Sequence, residues 1–577
     1  MRIFKYLKQA KLAILLIFGL LIVQAYCDLA LPRYMSNIVD VGIQQGGIEN
    51  AVPEKMRSTT LHDLGLFMTD EEIGIVNASY AENEEGIYVL HQKDSQTIGE
   101  LNRIFQVPMV ILAQMATSGE MKLDELKLAV DSGLLSRDQL LDMRQDAMEA
   151  MEGLNESLLN QMAVLFVRNE YEALGLDLGS VQNRYLWRTG GMMIGVTAVL
   201  MIASILVGFV ASRVSAKIGV DLRAKVFHKV VSFSSSEIDK FSTASLITRT
   251  TNDIQQVQMV TVMLLRMVLY APILGIGGVI MVANTRTGMS WIIGVAVGTI
   301  MLLVGTLVSI AMPKFKKMQQ LVDRLNLVSR EILTGISVIR AFGRERHEEQ
   351  RFARANRDLM QTQLFTNRVM TFMMPTMMLI MNGIMIMIVW FGGKGISAGQ
   401  LQVGDMMAFI TYTIQIVMSF MMLTMVSIML PRANVSAARI DEVLQKEPSI
   451  VDKPHVVEEK RSWRGEITFH DVSFRFPGAE DNVLKHISFT AKPGQTTAII
   501  GSTGSGKSTL LHLIPRFYDV TEGRITIDGV DIRDMSQQTL RSLLGYVPQK
   551  NVLFSGTIES NLKFGGDDIS DEAVQEA

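Results

Sequence analysis

Six apolar segments, each long enough for the roughly 20 helical residues that cross a bilayer, govern what this chain can fold into. They run over residues 12–32, 187–211, 258–283, 290–312, 369–391 and 404–430. Of the 577 residues 48% are hydrophobic and 20% charged, which fits a membrane protein with soluble parts better than a soluble enzyme. A single cysteine, Cys27, excludes an internal disulfide and a cysteine-based metal cluster. Arg2, Lys5, Lys8 and Lys11 precede the first segment, as they would in a signal peptide. No small-x-small cleavage pattern follows, the apolar character continues to Leu31, and Tyr26 before Cys27 is too large for lipoprotein-type processing. The segment therefore reads as an uncleaved span with its basic end in the cytoplasm.

Parity then sets the topology. The gap 44–185 lies outside, 213–257 and 313–367 lie inside, and everything after residue 431 returns to the cytoplasm. Charge follows the same division. Residues 44–185 carry 24 acidic and 10 basic side chains, whereas 313–367 carry 11 basic and 6 acidic. Leu321, Leu325, Val328, Ile332 and Leu333 recur at helical spacing, so the spans are predicted to continue as helices into the cytoplasm. Asn284–Met289, with Arg286 and Thr287, and the glycine-rich Gly392–Gln402 are predicted to be short turns.

The gap 44–185 is too long for a plain connection and reads as a small folded domain. Gly86–Leu90 is strand-like, and Leu123–Val130, Arg137–Met151 and Leu158–Leu174 are helical. Ile104–Met115 is apolar but short and contains Pro108, so it reads as a buried element of that domain rather than a span. Residues 432–464 form a linker containing the amphipathic stretch Ala437–Leu444. From Gly465 the pattern changes to short strands at Glu466–Phe469, Ser473–Phe476, Ile487–Ala491, Thr496–Ile500, Arg524–Ile527 and Gly545–Val547.

The strongest chemical signal is Gly501-Ser502-Thr503-Gly504-Ser505-Gly506-Lys507-Ser508-Thr509, which fits G-x-x-x-x-G-K-[ST] between an apolar strand and a helix. Glycines let the backbone wrap phosphate oxygens that a Cβ would block. Free N–H groups and the helix N-terminus supply a positive field. Lys507 would reach the terminal phosphates, and the Ser508 hydroxyl would coordinate Mg²⁺. Phe476, 25 positions before Gly501, could stack on adenine, although an aromatic there is more often core. Gln549, 42 positions after Lys507, could ligate Mg²⁺ through its carbonyl.

Phe476, the loop 501–509 and Gln549 resemble, in order and spacing, the adenine-stacking aromatic, Walker A loop and Q-loop of ATP-binding-cassette (ABC) transporters. Val552–Asn561, Phe233–Phe241 and Gly335–Glu345 resemble further stretches of the exporter subgroup, the last two its cytoplasmic coupling helices, with Glu237, Phe241, Arg340 and Phe342. The likeness covers nearly the whole chain except 44–185, and an insertion there is similar to one subunit of bacterial heterodimeric multidrug exporters. It implies an α-helical polytopic membrane domain of six exporter-type transmembrane helices, followed by a partial α/β P-loop ATPase domain at 465–577. It also implies ATP and Mg²⁺ as cofactors, and a second half-transporter as partner, a heterodimer being preferred. The implied cargo is small amphipathic molecules or lipid at the cell membrane, with no role for nucleic acid. The signature loop, Walker B aspartate, catalytic glutamate and switch histidine find no match up to Ala577, so no general base is nominated. The final helix-forming run, Glu572–Ala577, reads as truncation within a helix.

Fifteen of the 39 methionines lie between Arg368 and Pro431, and flexible thioethers suit a cavity for varied apolar molecules as well as they suit helix packing. Met377 and Met381, with Arg266 inside the third span, are the candidate cavity residues; Asp28 is a second ionisable group within a span. Pro272 and Pro375 are predicted to kink their helices. The topology is tested by a tag placed in 44–185: it should be labelled from outside intact cells, and labelling only after lysis would overturn the assignment.

Overall fold

The computed structural model describes residues 3–7, 10–118, 123–132, 134–151, 156–285, 288–454, 456, 462–566 and 569–576. Among the described residues six helices are long and apolar enough to cross a membrane: Lys11–Gln44, Leu178–Val231, Thr243–Asn284, Ser290–Thr334, Glu345–Ser397 and Val403–Gln445. The second has 54 residues. At about 1.5 Å per residue it is far longer than the ~30 Å hydrocarbon layer, so the helices continue beyond the bilayer as their periodicity predicts. Pro375 sits within the fifth of these helices, while Pro272 lies just inside the regular helix Tyr270–Asn284, after a wider π-helical turn at Leu264–Val268. Lacking an N–H, Pro272 cannot bond back to residue 268, which accounts for the break at that point.

The turn expected at Gly392–Gln402 is shorter. The helix runs on to Ser397, and Gly392, Gly393 and Gly395 are helical. Packing explains Gly392: a Cβ there would lie 2.8 Å from Met406 Sδ, so the missing side chain permits close approach of the sixth helix. The other short turn falls between Asn284 and Ser290, with Arg286 and Thr287 outside the described residues.

Contacts divide the chain into two units, residues 1–218 with 256–434, and residues 219–255 with 435–577. Within the first unit, residues 48–181 form their own core, which includes Met56, Phe67, Phe105, Leu140 and Val167. Strands β1 (Lys55–Arg57), β2 (Tyr80–Glu82) and β3 (Ile87–Leu90) pair antiparallel in the order β1-β3-β2. The apolar run Ile104–Met115 belongs to helix Ser95–Ser118, whose Leu101, Phe105 and Met109 are fully buried. Phe105 meets Tyr80 edge to face, with ring centroids 6.1 Å apart.

In the second unit, strands β4 (Ile467–Phe474), β5 (Leu484–Ala491), β6 (Glu522–Ile527) and β7 (Val530–Asp531) form an antiparallel sheet ordered β5-β4-β6-β7. The two strands expected at 466–469 and 473–476 are one, with a register shift between them and Asp471 at φ +49°. Thr496–Ile500 and Gly545–Val547 are not strands. Among the described residues no neighbour forms a ladder with them, and Ile500 and Val547 are 92% and 86% exposed. An apolar run becomes a strand only when its backbone groups find partners.

The inserted segment is tied together by Glu170, whose side chain is 3% exposed. It accepts hydrogen bonds from the Arg57 backbone N–H (2.7 Å), the Arg57 guanidinium (2.7 Å) and the Thr60 hydroxyl (2.8 Å). Burial alone would raise its pKa, but these donors outweigh burial and hold it below the ordinary 4.5. A depressed folded value makes this stabilisation complete above 4.5 and lost as pH falls through the folded value. Glu170→Gln should therefore cost about 1–3 kcal/mol at neutral pH, read as faster limited proteolysis of 44–185. The gap to wild type should narrow in acid.

Candidate nucleotide site

Gly501–Thr509 leads into helix Lys507–Leu513, which packs through Leu510 and Leu513 on the core of the β4–β7 sheet. Gly504 and Gly506 hold φ of +84° and +89°, where a side chain is strained. A Cβ on Gly506 would meet Leu484 Cδ2 at 2.8 Å and Val483 Cγ1 at 3.3 Å, and one on Gly501 would meet Ser505 Oγ at 2.7 Å. Gly501 and Gly506 thus leave no room for a side chain, and Gly504 favours glycine through its positive φ alone. Lys507 Nζ lies across the loop, donating to the carbonyls of Gly501 (2.9 Å) and Ser502 (2.7 Å). Ser508 Oγ donates to Gln549 Oε1 at 3.4 Å. Two oxygen groups far apart in sequence therefore stand together, as hard-cation ligands must.

Phe476 follows the end of β4 in a turn closed by the Val483 N–H donating to the Phe474 carbonyl (2.8 Å). Because Val483 also flanks Gly506, this turn holds the aromatic segment beside the loop. Phe476 is half-buried and meets Phe474 and Tyr518 edge to face, at 4.9 and 5.3 Å. Part of the ring is core, as the plainer reading of its sequence position holds.

Tyr518 has no mark in the motif spacing, yet it joins the nucleotide region to the loop 219–255. Its hydroxyl donates to Asp239 Oδ2 at 2.8 Å. Burial, and then the bond to Asp239, push that hydroxyl up to about 12, so it remains a donor. Asp239 sits on the short helix Ser235–Phe241. Glu237, 2% exposed, caps this helix with Ser234 and accepts from the Ser449 hydroxyl (3.3 Å) of the linker. Burial alone would raise its pKa, yet the serine hydrogen bonds hold it below the usual glutamate range. Phe241 stacks on Phe233 at 5.9 Å, and the Arg249 guanidinium lies 4.8 Å above its ring. The linker helix buries Ala437, Ile440 and Val443.

The other sequence-selected residues are dispersed. Arg340 and Phe342 belong to an exposed stretch containing helix Ile336–Ala341, with Phe342 76% exposed. Met377 is buried with Ile300 and Val417, and Met381 packs against that cluster. Arg266 is exposed and approaches the bare backbone of Gly208.

Residues 163–420 match the family profile described as ABC transporter transmembrane region, and 484–577 match the ABC transporter profile. An uncharacterized ABC transporter ATP-binding protein of Mycobacterium tuberculosis strain H37Rv is 40% identical over 379 residues, covering 66% of this chain and 65% of the relative. The ABC transporter ATP-binding protein YfiB of Bacillus subtilis is 36% identical over 422 residues, 73% of each chain. An ATP-dependent lipid A-core flippase of Desulfotalea psychrophila is 31% identical over 380 residues, 64% of each.

Gly506→Ala imposes a left-handed conformation costing about 1–2 kcal/mol and a close contact with Leu484. Isothermal titration should show Mg·ATP affinity falling about tenfold or more; an unchanged affinity would contradict the cradle.

Proposed function

Because the chain belongs to the ABC transporter family, we propose that it is one half of an ATP-driven exporter, moving small amphipathic or hydrophobic molecules across the cell membrane by alternating access. The observation that carries this reading is the Phe476–Tyr518–Asp239 connection, which runs from the candidate adenine platform to the helix Ser235–Phe241. Loop 501–509 would hold the phosphates, Lys507 would balance their charge, and Ser508 with Gln549 would hold Mg²⁺. Bound Mg·ATP supplies differential affinity for a closed state, the one property by which a ligand can shift a conformational equilibrium. Asp239, Glu237 and Phe241 would carry that shift to the membrane helices, whose N-terminus and nucleotide domain we assign to the cytoplasm.

A second half-transporter completes the reading. Val338 and Phe342, 58% and 76% exposed, form an apolar tip that a partner's nucleotide domain could cover. The inserted domain favours an unlike partner. A lipid flippase is the second reading, supported by relatives named lipid A-core flippases at 31–32% identity. A regulatory subunit that binds ATP with little hydrolysis is the third.

Lys507→Ala in the assembled transporter, reconstituted in proteoliposomes, should abolish ATP-dependent efflux of an amphipathic dye; unchanged efflux would refute the role of the loop. Translocation of labelled lipid without dye efflux would select the flippase reading. ATP binding without turnover would select the regulatory one.

A further inference from the structure

A cavity of about 600 Å³ opens where the first membrane helix, the start of the sixth and the inserted domain meet. Its size suits a small molecule, but its wall is polar where such sites are mostly apolar. Three carboxylates, Asp40, Glu49 and Asp405, face it against one cation, Arg33. Asp40 is 4% exposed. Its Oδ1 accepts the Gly404 N–H at 2.7 Å and its Oδ2 the Ser36 hydroxyl at 3.1 Å. Both donors are neutral, and among the described residues no ion pair compensates either aspartate. Gly404 has no room for a side chain: a Cβ there would lie 2.2 Å from Asp40 Oδ2, so the carboxylate is locked against the sixth helix.

Gln45 supplies the independent sign of a ligand. It lines the same cavity, is 4% exposed, and its Oε1 has no hydrogen-bond partner. A buried amide oxygen without a donor is costly. The walls are fixed from the inserted domain, where Asn102 Oδ1 accepts the Ala51 N–H at 2.7 Å and Asn160 Nδ2 donates to the Glu49 carbonyl at 3.0 Å. Among the described residues no three His, Cys, Asp or Glu converge as metal ligands. A compact metal ion therefore fits poorly, whereas an organic ammonium brings both distributed positive charge and N–H donors.

We propose that this cavity binds a hydrophilic organic amine, with Asp40 and Asp405 balancing its charge and Gln45 Oε1 accepting one of its N–H groups. The amine is either a soluble polyamine or the headgroup of phosphatidylethanolamine, which share the primary ammonium.

The test is isothermal titration of spermidine into the intact protein in phosphatidylcholine nanodiscs. Wild type and Lys507→Ala should both show saturable binding, weakened about tenfold or more by Asp40→Asn and by Gln45→Met. Gln45→Met removes the unpartnered acceptor at nearly constant volume, so its melting temperature should equal or exceed that of wild type, which separates lost binding from lost folding. Competition when phosphatidylethanolamine is included assigns the headgroup as occupant; unchanged binding assigns the soluble amine. No saturable binding to wild type, or equal binding by Gln45→Met, would overturn the proposal.

Discussion

The hydrogen-bonded seam joining residues 232–253 to 436–449 is the constraint on which the working of the second unit depends. Glu237 is the buried centre of that seam, held by Ser234, Ser236 and Ser449. Arg249 reaches the Arg439 carbonyl and the Glu442 carboxylate, and Ser436 donates to the buried Asp253. Such contacts are worth little when exposed and more when desolvated. Here the buried ones lie at Glu237 and Asp253, and they tie the loop to the linker and its helix. Tyr518 meets the same loop through Asp239 on the helix Ser235–Phe241.

The nucleotide region itself is ordered by close backbone packing rather than by charge. Leu484 and Val483 leave no room for a side chain on Gly506; Leu484 begins β5, and Val483 just before it closes the aromatic turn. One local packing requirement thereby couples the phosphate cradle to Phe476. Lys507 answers to two carbonyls of the same loop, which keeps its ammonium across the cradle's mouth.

The inserted domain follows different physics from the bundle it interrupts. Its core is that of a water-soluble domain, with an apolar helix at the centre and amphipathic helices around it. The junction with the bundle is polar, and the buried groups there are arranged around Asp40 and Gly404. A charged group so placed at a helix end is costly unless it has partners.

The sequence by itself determined the six membrane helices, their extension beyond the bilayer, the existence of an independent core in 44–185 and the glycine-rich turn that is the candidate phosphate loop. Each is a local property, namely apolar length, a 3.6-residue period, or a fixed run of glycines and a lysine. Even the apolar run around Pro108 was legible as buried, because it is too short to span. Tertiary structure alone decided what depends on partners. Thr496–Ile500 and Gly545–Val547 have the composition of strands but no ladder, and Gly392 reads as a turn until Met406 is seen against it. Tyr518 and Ser449 carry no motif, and their significance arises only when distant segments bring Asp239 and Glu237 to them. Ser508 and Gln549 were legible one at a time, but their meeting was not, since hydrogen-bond distance across 41 residues is fixed by the fold and not by spacing.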